Sequence, residues 1–187
     1  MCLKVLALKY DQKCKDSIDE LCGAMLENDR MPLTVFANVG VNLAHEIGFH
    51  KTHSTDYQIM QETLNTNVSN TFYLIKKILP TMRRERFGRI VLIGSQSYQY
   101  GVAGQVSYNV SKSALSGLKN TINREYSKAN IKCYLYNLGV IDNKRVAKYR
   151  EKNISNESLN ILSETDVTNE IWRSFISDPE QHERNIP

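Results

Sequence analysis

Short runs of β-branched and aliphatic residues alternate along this chain with longer stretches whose apolar residues recur every three or four positions. A stripe with helical period cannot sit still as a strand, and a short β-branched run is too brief for a helix. The alternation therefore specifies βαβ units on a parallel sheet flanked by helices, an α/β fold. Strands are expected near residues 5–10, 33–37, 89–93 and 131–136. The run at 33–37, after the break made by Pro32, reads as a buried strand. A helix near 15–27 places Ile18, Leu21, Cys22 and Met25 on one face. A long helix near 56–82 carries a stripe of Met60, Leu64, Val68, Phe72, Ile75 and Leu79, and another near 108–129 carries Val110, Ala114, Leu118 and Ile122. Residues 41–54 read as a loop. After Gly139 the chain turns polar. Residues 143–164 are the expected mobile stretch, and Asp166 is the expected cap of a short helix over 167–176. Nothing divides the chain, so residues 1–187 read as one domain, with a core over about 1–140 and a variable region over 141–187.

Composition narrows the function classes. The formal net charge of +4 is spread along the chain. Its densest clusters, Arg83-Arg84-Glu85-Arg86 and residues 144–152, contain acids or fall near element ends. No aromatic-rich strand accompanies them, so they read as solvated surface and no nucleic acid is expected. The most apolar short run, Ile90 to Ile93, is far too short to span a bilayer, and Met1-Cys2-Leu3-Lys4 lacks a signal-like apolar stretch. No membrane role is expected, and the expected location is the cytoplasm. The 4 cysteines form no C-x-x-C pair and read as reduced thiols. His45, His50 and His53 share one loop with no nearby cysteine and read as surface, with no metal expected.

One motif carries chemistry. Tyr108-Asn109-Val110-Ser111-Lys112 places a phenol and an ammonium one helical turn apart on a shared face. A phenol with its pKa near about 10 is a poor acid–base group at neutral pH, and a fixed cation beside it lowers that value. Tyr73-Leu74-Ile75-Lys76-Lys77 matches the same pattern, so the spacing alone does not choose between them. The upstream context does. Ser95 ends the strand over 89–93 and lies 13 residues before Tyr108, whereas the residue 13 before Tyr73 is Met60. A strand-end hydroxyl facing a helix-borne phenol can clamp one carbonyl oxygen, the polarisation that hydride attack on a ketone requires.

Ile93-Gly94-Ser95, followed by Gly104-Gln105-Val106-Ser107-Tyr108-Asn109-Val110-Ser111-Lys112-Ser113-Ala114, resembles the active-site stretch of short-chain dehydrogenases/reductases, most closely the 3-oxoacyl-acyl carrier protein reductase type. Asn67-Val68-Ser69-Asn70-Thr71-Phe72 is similar to that family's N-L-x-x-x-F stretch, and Asn67 precedes Ser95 by the family's 28 positions. Ala37-Asn38-Val39-Gly40 resembles its N-N-A-G turn, and Asp11 falls where the family has an Asp near the adenine ring. The resemblance implies an incomplete Rossmann-like sheet and an NAD- or NADP-dependent oxidoreductase acting on a small-molecule alcohol or ketone. By it, Tyr108 is the general acid–base, Lys112 lowers the phenol pKa and holds the nicotinamide ribose, and Ser95 binds the substrate carbonyl. Asn67 holds a water in the proton relay, while Asn38, Gly40 and Asp11 frame the cofactor. It also implies a homo-oligomer packed through helices 56–82 and 108–129.

The family pattern is incomplete. Its opening strand, T-G-x-x-x-G-x-G loop and helix, which hold the cofactor pyrophosphate, have no counterpart in the sequence. Residues 5–10 correspond to the family's third strand and 33–37 to its fourth, with the first two normally lying between them. The expectation is a truncated domain in which 5–10 slides into direct parallel pairing with 33–37. Leu138-Gly139 stands where the family has P-G, the Thr expected shortly after it is missing, and the closing strand with its G-G ending is expected to be absent. The alternative to an enzyme is a non-catalytic remnant, or a subunit that pairs with a full-length relative.

Overall fold

The computed structural model describes residues 6–142, 161–177 and 182–186. The stretch expected to be mobile falls mostly outside them, as do Val5 and the basic cluster at 144–152. In chain order come α1 (Lys15–Glu27), β1 (Thr34–Ala37), α2 (Ala44–Ile47), α3 (Tyr57–Leu64), a π-helical turn (Asn65–Ser69), α4 (Asn70–Glu85) and β2 (Gly88–Ser95). Next are α5 (Ser97–Tyr100), α6 (Val106–Tyr126), β3 (Ile131–Leu138), β4 (Val140–Ile141), β5 (Ile161–Leu162), α7 (Glu164–Ser177) and β6 (Glu183–Ile186). The main sheet is parallel throughout, in the order β1-β2-β3-β6.

Strands β2 and β3 are central and buried on both faces, which is why they read as near-continuous apolar runs. On one face Ile90, Leu92, Ile131, Cys133 and Leu135 pack against Ile18, Ile75, Met82 and Leu115 of α1, α4 and α6. On the other, Val91, Tyr134 and Tyr136 pack against Val167, Ile171 and Phe175 of α7.

Several expectations are corrected. Residues 6–10 form no strand, and among the described residues β1 pairs only with β2. Gln12 explains the first point: its side-chain amide donates to the Thr66 carbonyl and to Thr71 Oγ1, pinning this segment over the start of α4 rather than beside β1. Strand β1 is consequently an edge, with Phe36 46% exposed, and not a buried strand. The closing strand expected to be missing is present: Glu183–Ile186 pairs in parallel with Leu135–Leu138. The last helix begins at Glu164, and Ser163, not Asp166, is its cap, its hydroxyl accepting from the Asp166 backbone N–H at 3.0 Å.

The long helix near 56–82 is interrupted by the π turn. The turn inserts a residue into the helical register and rotates the remainder of the helix about its axis. Thr71, Leu74, Ile75, Ile78 and Met82 face inward, while Phe72 of the expected stripe is 49% exposed. On α6 the buried face is Ser107, Ser111, Lys112, Leu115, Lys119 and Ile122, and Val110 is left 41% exposed. Ile122 and Leu118 of the expected stripe face the core, but Ser107, Ser111, Lys112 and Lys119 share that inward face, which apolar periodicity alone does not show.

Candidate active site

The π turn turns Asn67 inward, and its side chain, 3% exposed, is a bracket. Its Oδ1 accepts from the Val41 backbone N–H at 2.7 Å, and its Nδ2 donates to the Val41 carbonyl and to Ser111 Oγ, each at 2.9 Å. Ser111 Oγ donates in turn to the Tyr108 carbonyl at 2.8 Å. The turn after β1, the π turn and the first turns of α6 are thus joined by one buried amide and one buried hydroxyl.

Lys112 completes the cluster. Its Nζ donates to the Ile93 carbonyl at 2.8 Å and lies 5.6 Å from the centre of the Tyr108 ring. This one side chain ties the strand end that carries Ser95 to the helical turn that carries Tyr108. Gly40 closes the far side. A Cβ at that position would stand 3.2 Å from Asn67 Oδ1 and 3.4 Å from Lys112 Nζ, so a larger residue would press the Asn67 amide back by a few tenths of an ångström. Lys112 is 6% exposed, and burial lowers its pKa to about 8.

Ser95 sits at the carboxyl end of β2, half-buried, with its Oγ 2.9 Å from Ser97 Oγ and accepting from the Ser97 backbone N–H at 3.3 Å. Asn38 and Asp11 are both exposed. Asn38 follows β1, its backbone N–H bonded to the Phe36 carbonyl. Asp11 caps the turn into α1, its carboxylate accepting from the Lys13 backbone N–H at 2.9 Å. The structure therefore places Lys112 beside the Tyr108 ring and near Gly40, links Asn67 to Tyr108 through Ser111, attaches Ser95 through β2, and gives Asn38 and Asp11 local partners.

The competing Tyr73–Lys77 pair has another role. The Tyr73 hydroxyl donates to Asp19 at 2.7 Å, and Lys77 pairs with the same carboxylate at 2.5 Å. The Lys77 and Tyr73 bonds hold the Asp19 pKa at about 2. This is a clasp between α1 and α4. A surface hollow of about 730 Å³ lies elsewhere again, between Arg83, Arg86, Glu125 and Lys128. Sequence reasoning missed Ser111 and Gln12. Ser111 stands inside the Tyr–Lys motif, so its position beside Lys112 was a usable signal; Gln12 gave none. Among the described residues no group of His, Cys, Asp and Glu is arranged to hold a metal ion, and no helix is long and apolar enough to cross a membrane.

Comparison with known proteins identifies a family and a shared fold. Residues 3–154 match the family model described as short chain dehydrogenase. A 3-oxoacyl-[acyl-carrier-protein] reductase MabA of Mycobacterium bovis is 34% identical over 138 residues, which cover 74% of this chain and 54% of that protein. The FabG reductase of Buchnera aphidicola is 35% identical over 80 residues, covering 43% of this chain and 33% of its own. The matched stretch thus spans about half or less of these curated relatives. Among solved structures, a 4-hydroxyisoleucine dehydrogenase mutant complexed with NADH and succinate superposes with a TM-score of 0.82 at 19% identity, covering 96% of this chain and 75% of its own. The complex with NADH alone gives a TM-score of 0.78. At such identity the likeness is one of fold.

Proposed function

Because the chain belongs to the short-chain dehydrogenase family, we propose that it serves an oxidoreductase reaction between a small-molecule alcohol and its ketone, with Tyr108 as general acid–base. The observation that carries this reading is the placement of the Lys112 ammonium, buried between the Tyr108 ring and the Ile93 carbonyl. A cation there favours the phenolate and brings the phenol into working range. Ser95 accepts a hydrogen bond from the Ser97 N–H, and where the Ser97 hydroxyl also donates to it, its own proton is left to polarise a substrate oxygen. Asn67 spends both amide N–H groups on the scaffold, so it contributes chiefly by fixing the turn at Gly40 and Val41. A 3-oxoacyl group is the first substrate to try, because the curated relatives are named for it.

The residues present fit one end of a nicotinamide nucleotide. Gly40, Lys112 and Tyr108 are the residues that would hold the ribose and its attached ring, and a Cβ at Gly40 would come within 3.4 Å of Lys112 Nζ. When bound, the nucleotide would donate or accept the hydride. The pyrophosphate end has no matching glycine-rich loop in these 187 residues. A second reading is a protein that keeps the family's scaffold without turnover or pairs with a longer relative, and Asn67, with both amide N–H groups spent on that scaffold, favours it.

Titrating NADH and NADPH separately and following nucleotide fluorescence distinguishes the two. Saturation below about 1 mM supports the enzyme reading, since working KM values fall there. No binding of either nucleotide at that level overturns it for this chain. Given binding, Tyr108→Phe should abolish ketone reduction while leaving nucleotide affinity and the melting temperature close to those of the parent. Retained turnover would show that another group is the acid.

A further inference from the structure

Helix α5 has four residues, too few to hold its own shape in water. It sits directly after Ser95, and Ser97 within it supplies the two contacts to the Ser95 hydroxyl. The Gln96 N–H at its start donates to the Leu138 carbonyl of β3, and three side-chain bonds tie it to the closing strand. Gln96 Nε2 donates to the Ile186 carbonyl at 2.6 Å, the Tyr98 hydroxyl to Glu183 Oε1 at 2.9 Å, and Gln99 Nε2 to Asn185 Oδ1 at 3.0 Å.

Glu183 is the centre of this attachment. Its Oε1 accepts from Tyr98 and, at 3.1 Å, from Asn137 Nδ2 of β3. Its Oε2 accepts from Lys119 Nζ and, at 3.3 Å, from Ser116 Oγ, both of α6. Four donors from three elements saturate one carboxylate. Lys119 is 6% exposed, and its ammonium has been taken out of water for this purpose. An ion pair with Lys119 buried and Glu183 29% exposed is a poor stabiliser, since desolvating the ammonium offsets much of the attraction. The arrangement is better explained by what it positions.

We propose that Glu183 is a positioning residue whose carboxylate fixes α5, and through α5 the Ser95 hydroxyl, onto strand β6. The consequence for turnover rests on the function proposed above; the clamp itself does not. In this arrangement β6 is part of the active-site scaffold rather than a terminal ornament of the sheet. Ser95 and Tyr108 are then held in one frame by two ties, Lys112 to Ile93 above and Glu183 to Lys119 and Tyr98 below.

The test compares two double variants of the full chain in which the buried charges are removed together. Lys119→Met with Glu183→Gln keeps a neutral oxygen to accept from Tyr98. Lys119→Met with Glu183→Leu does not. Amide exchange of residues 96–101 should accelerate about tenfold or more in the leucine variant, the scale expected for losing hydrogen bonds to a charged acceptor. It should stay near the parent rate in the glutamine variant, and exchange in β2 and β3 should be unchanged in both. Where the parent reduces a ketone, kcat should fall in the leucine variant with the nucleotide KM unchanged. Tyr98→Phe, which leaves the core charges alone, must also speed exchange in 96–101. Parent-like exchange of that segment in Tyr98→Phe, or in a folded leucine variant, overturns the proposal. A parent with no turnover counts against the proposed function only, and the exchange measurement still decides the clamp.

Discussion

Lys112 donates to the backbone carbonyl of Ile93 at 2.8 Å from a position where burial brings its pKa down to about 8. The ordinary value is 10.5. Between these two pH values the unfolded chain holds the proton and the folded chain does not, so the stability of the fold rises with pH across that window, by on the order of 3 kcal/mol. Below pH about 8 the folded chain carries the full cost of the buried charge. The melting temperature of the parent, measured relative to Lys112→Met, should therefore climb between pH 8 and 10.5. A difference that stays flat over this range would show that Lys112 is not desolvated. The same titration removes the cation beside Tyr108, so ketone reduction should decline on the alkaline side with an apparent pKa near 8.

Asn67→Asp tests how close Asn67 and Lys112 are. Both flank Gly40, where an added Cβ would touch Asn67 Oδ1 at 3.2 Å and Lys112 Nζ at 3.4 Å. The new carboxylate keeps the bond from the Val41 N–H but loses the donations to the Val41 carbonyl and Ser111. Stability should fall by about 0.5–1.5 kcal/mol per lost bond. Meanwhile a negative charge next to Lys112 favours its charged form, and the alkaline limb should move up by roughly one unit or more. A pH–rate profile and a thermal melt of one variant check both signs; an unmoved limb would contradict the shared pocket.

Gly94→Ala should be among the more costly substitutions in β2. A Cβ there would fall 2.1 Å from Asn137 Oδ1 and 3.0 Å from Leu135 Cδ1. Asn137 is fully buried and held by bonds to Glu183 and Asn185, so it cannot swing aside freely. Overpacking of this kind costs about 1–3 kcal/mol. Asn137→Ala removes the obstructing atom, so the double variant should be more stable than the two single losses predict, by about 1 kcal/mol or more. Additive losses in denaturant melts would show that the clash relaxes elsewhere.

The sequence disclosed the elements that are apolar on both faces and concealed those whose inward face is polar. β2 and β3 were legible because Ile90 to Ile93 and Ile131 to Tyr136 are buried from both sides. The candidate site was legible through spacing: a helical turn brings Tyr108 and Lys112 together whatever the rest of the chain does. The π turn at Asn67 left no mark in the hydrophobic pattern, and just beyond it Phe72 falls outside while Ile75 and Leu79 still face the core. β6 was hidden for a related reason. Glu183, Arg184 and Asn185 look like surface residues, and only the buried Lys119 and Asn137 explain why a carboxylate belongs there. Residues 6–10 misled in the opposite direction, because a strand-like pattern does not form a strand once Gln12 anchors it elsewhere.

One member of each expected stripe is left exposed, and a second copy of the chain is expected to cover them. Phe72 on α4 and Val110 on α6 are 49% and 41% exposed. Burying a whole side chain of this size is worth about 1.5–3 kcal/mol, and an isologous contact counts each residue twice. The interior of the protomer does not need either side chain, since the buried faces of these helices are Leu74, Ile75, Ile78 and Met82 on one and Leu115 and Ile122 on the other. Phe72→Lys and Val110→Lys should thus leave protomer stability within about 0.5 kcal/mol while placing like charges in the contact. Sedimentation velocity should show the parent as an oligomer and the double variant as a monomer with an unchanged circular dichroism spectrum. A parent that sediments as a monomer, or a double variant that stays assembled, would exclude these helices as the contact.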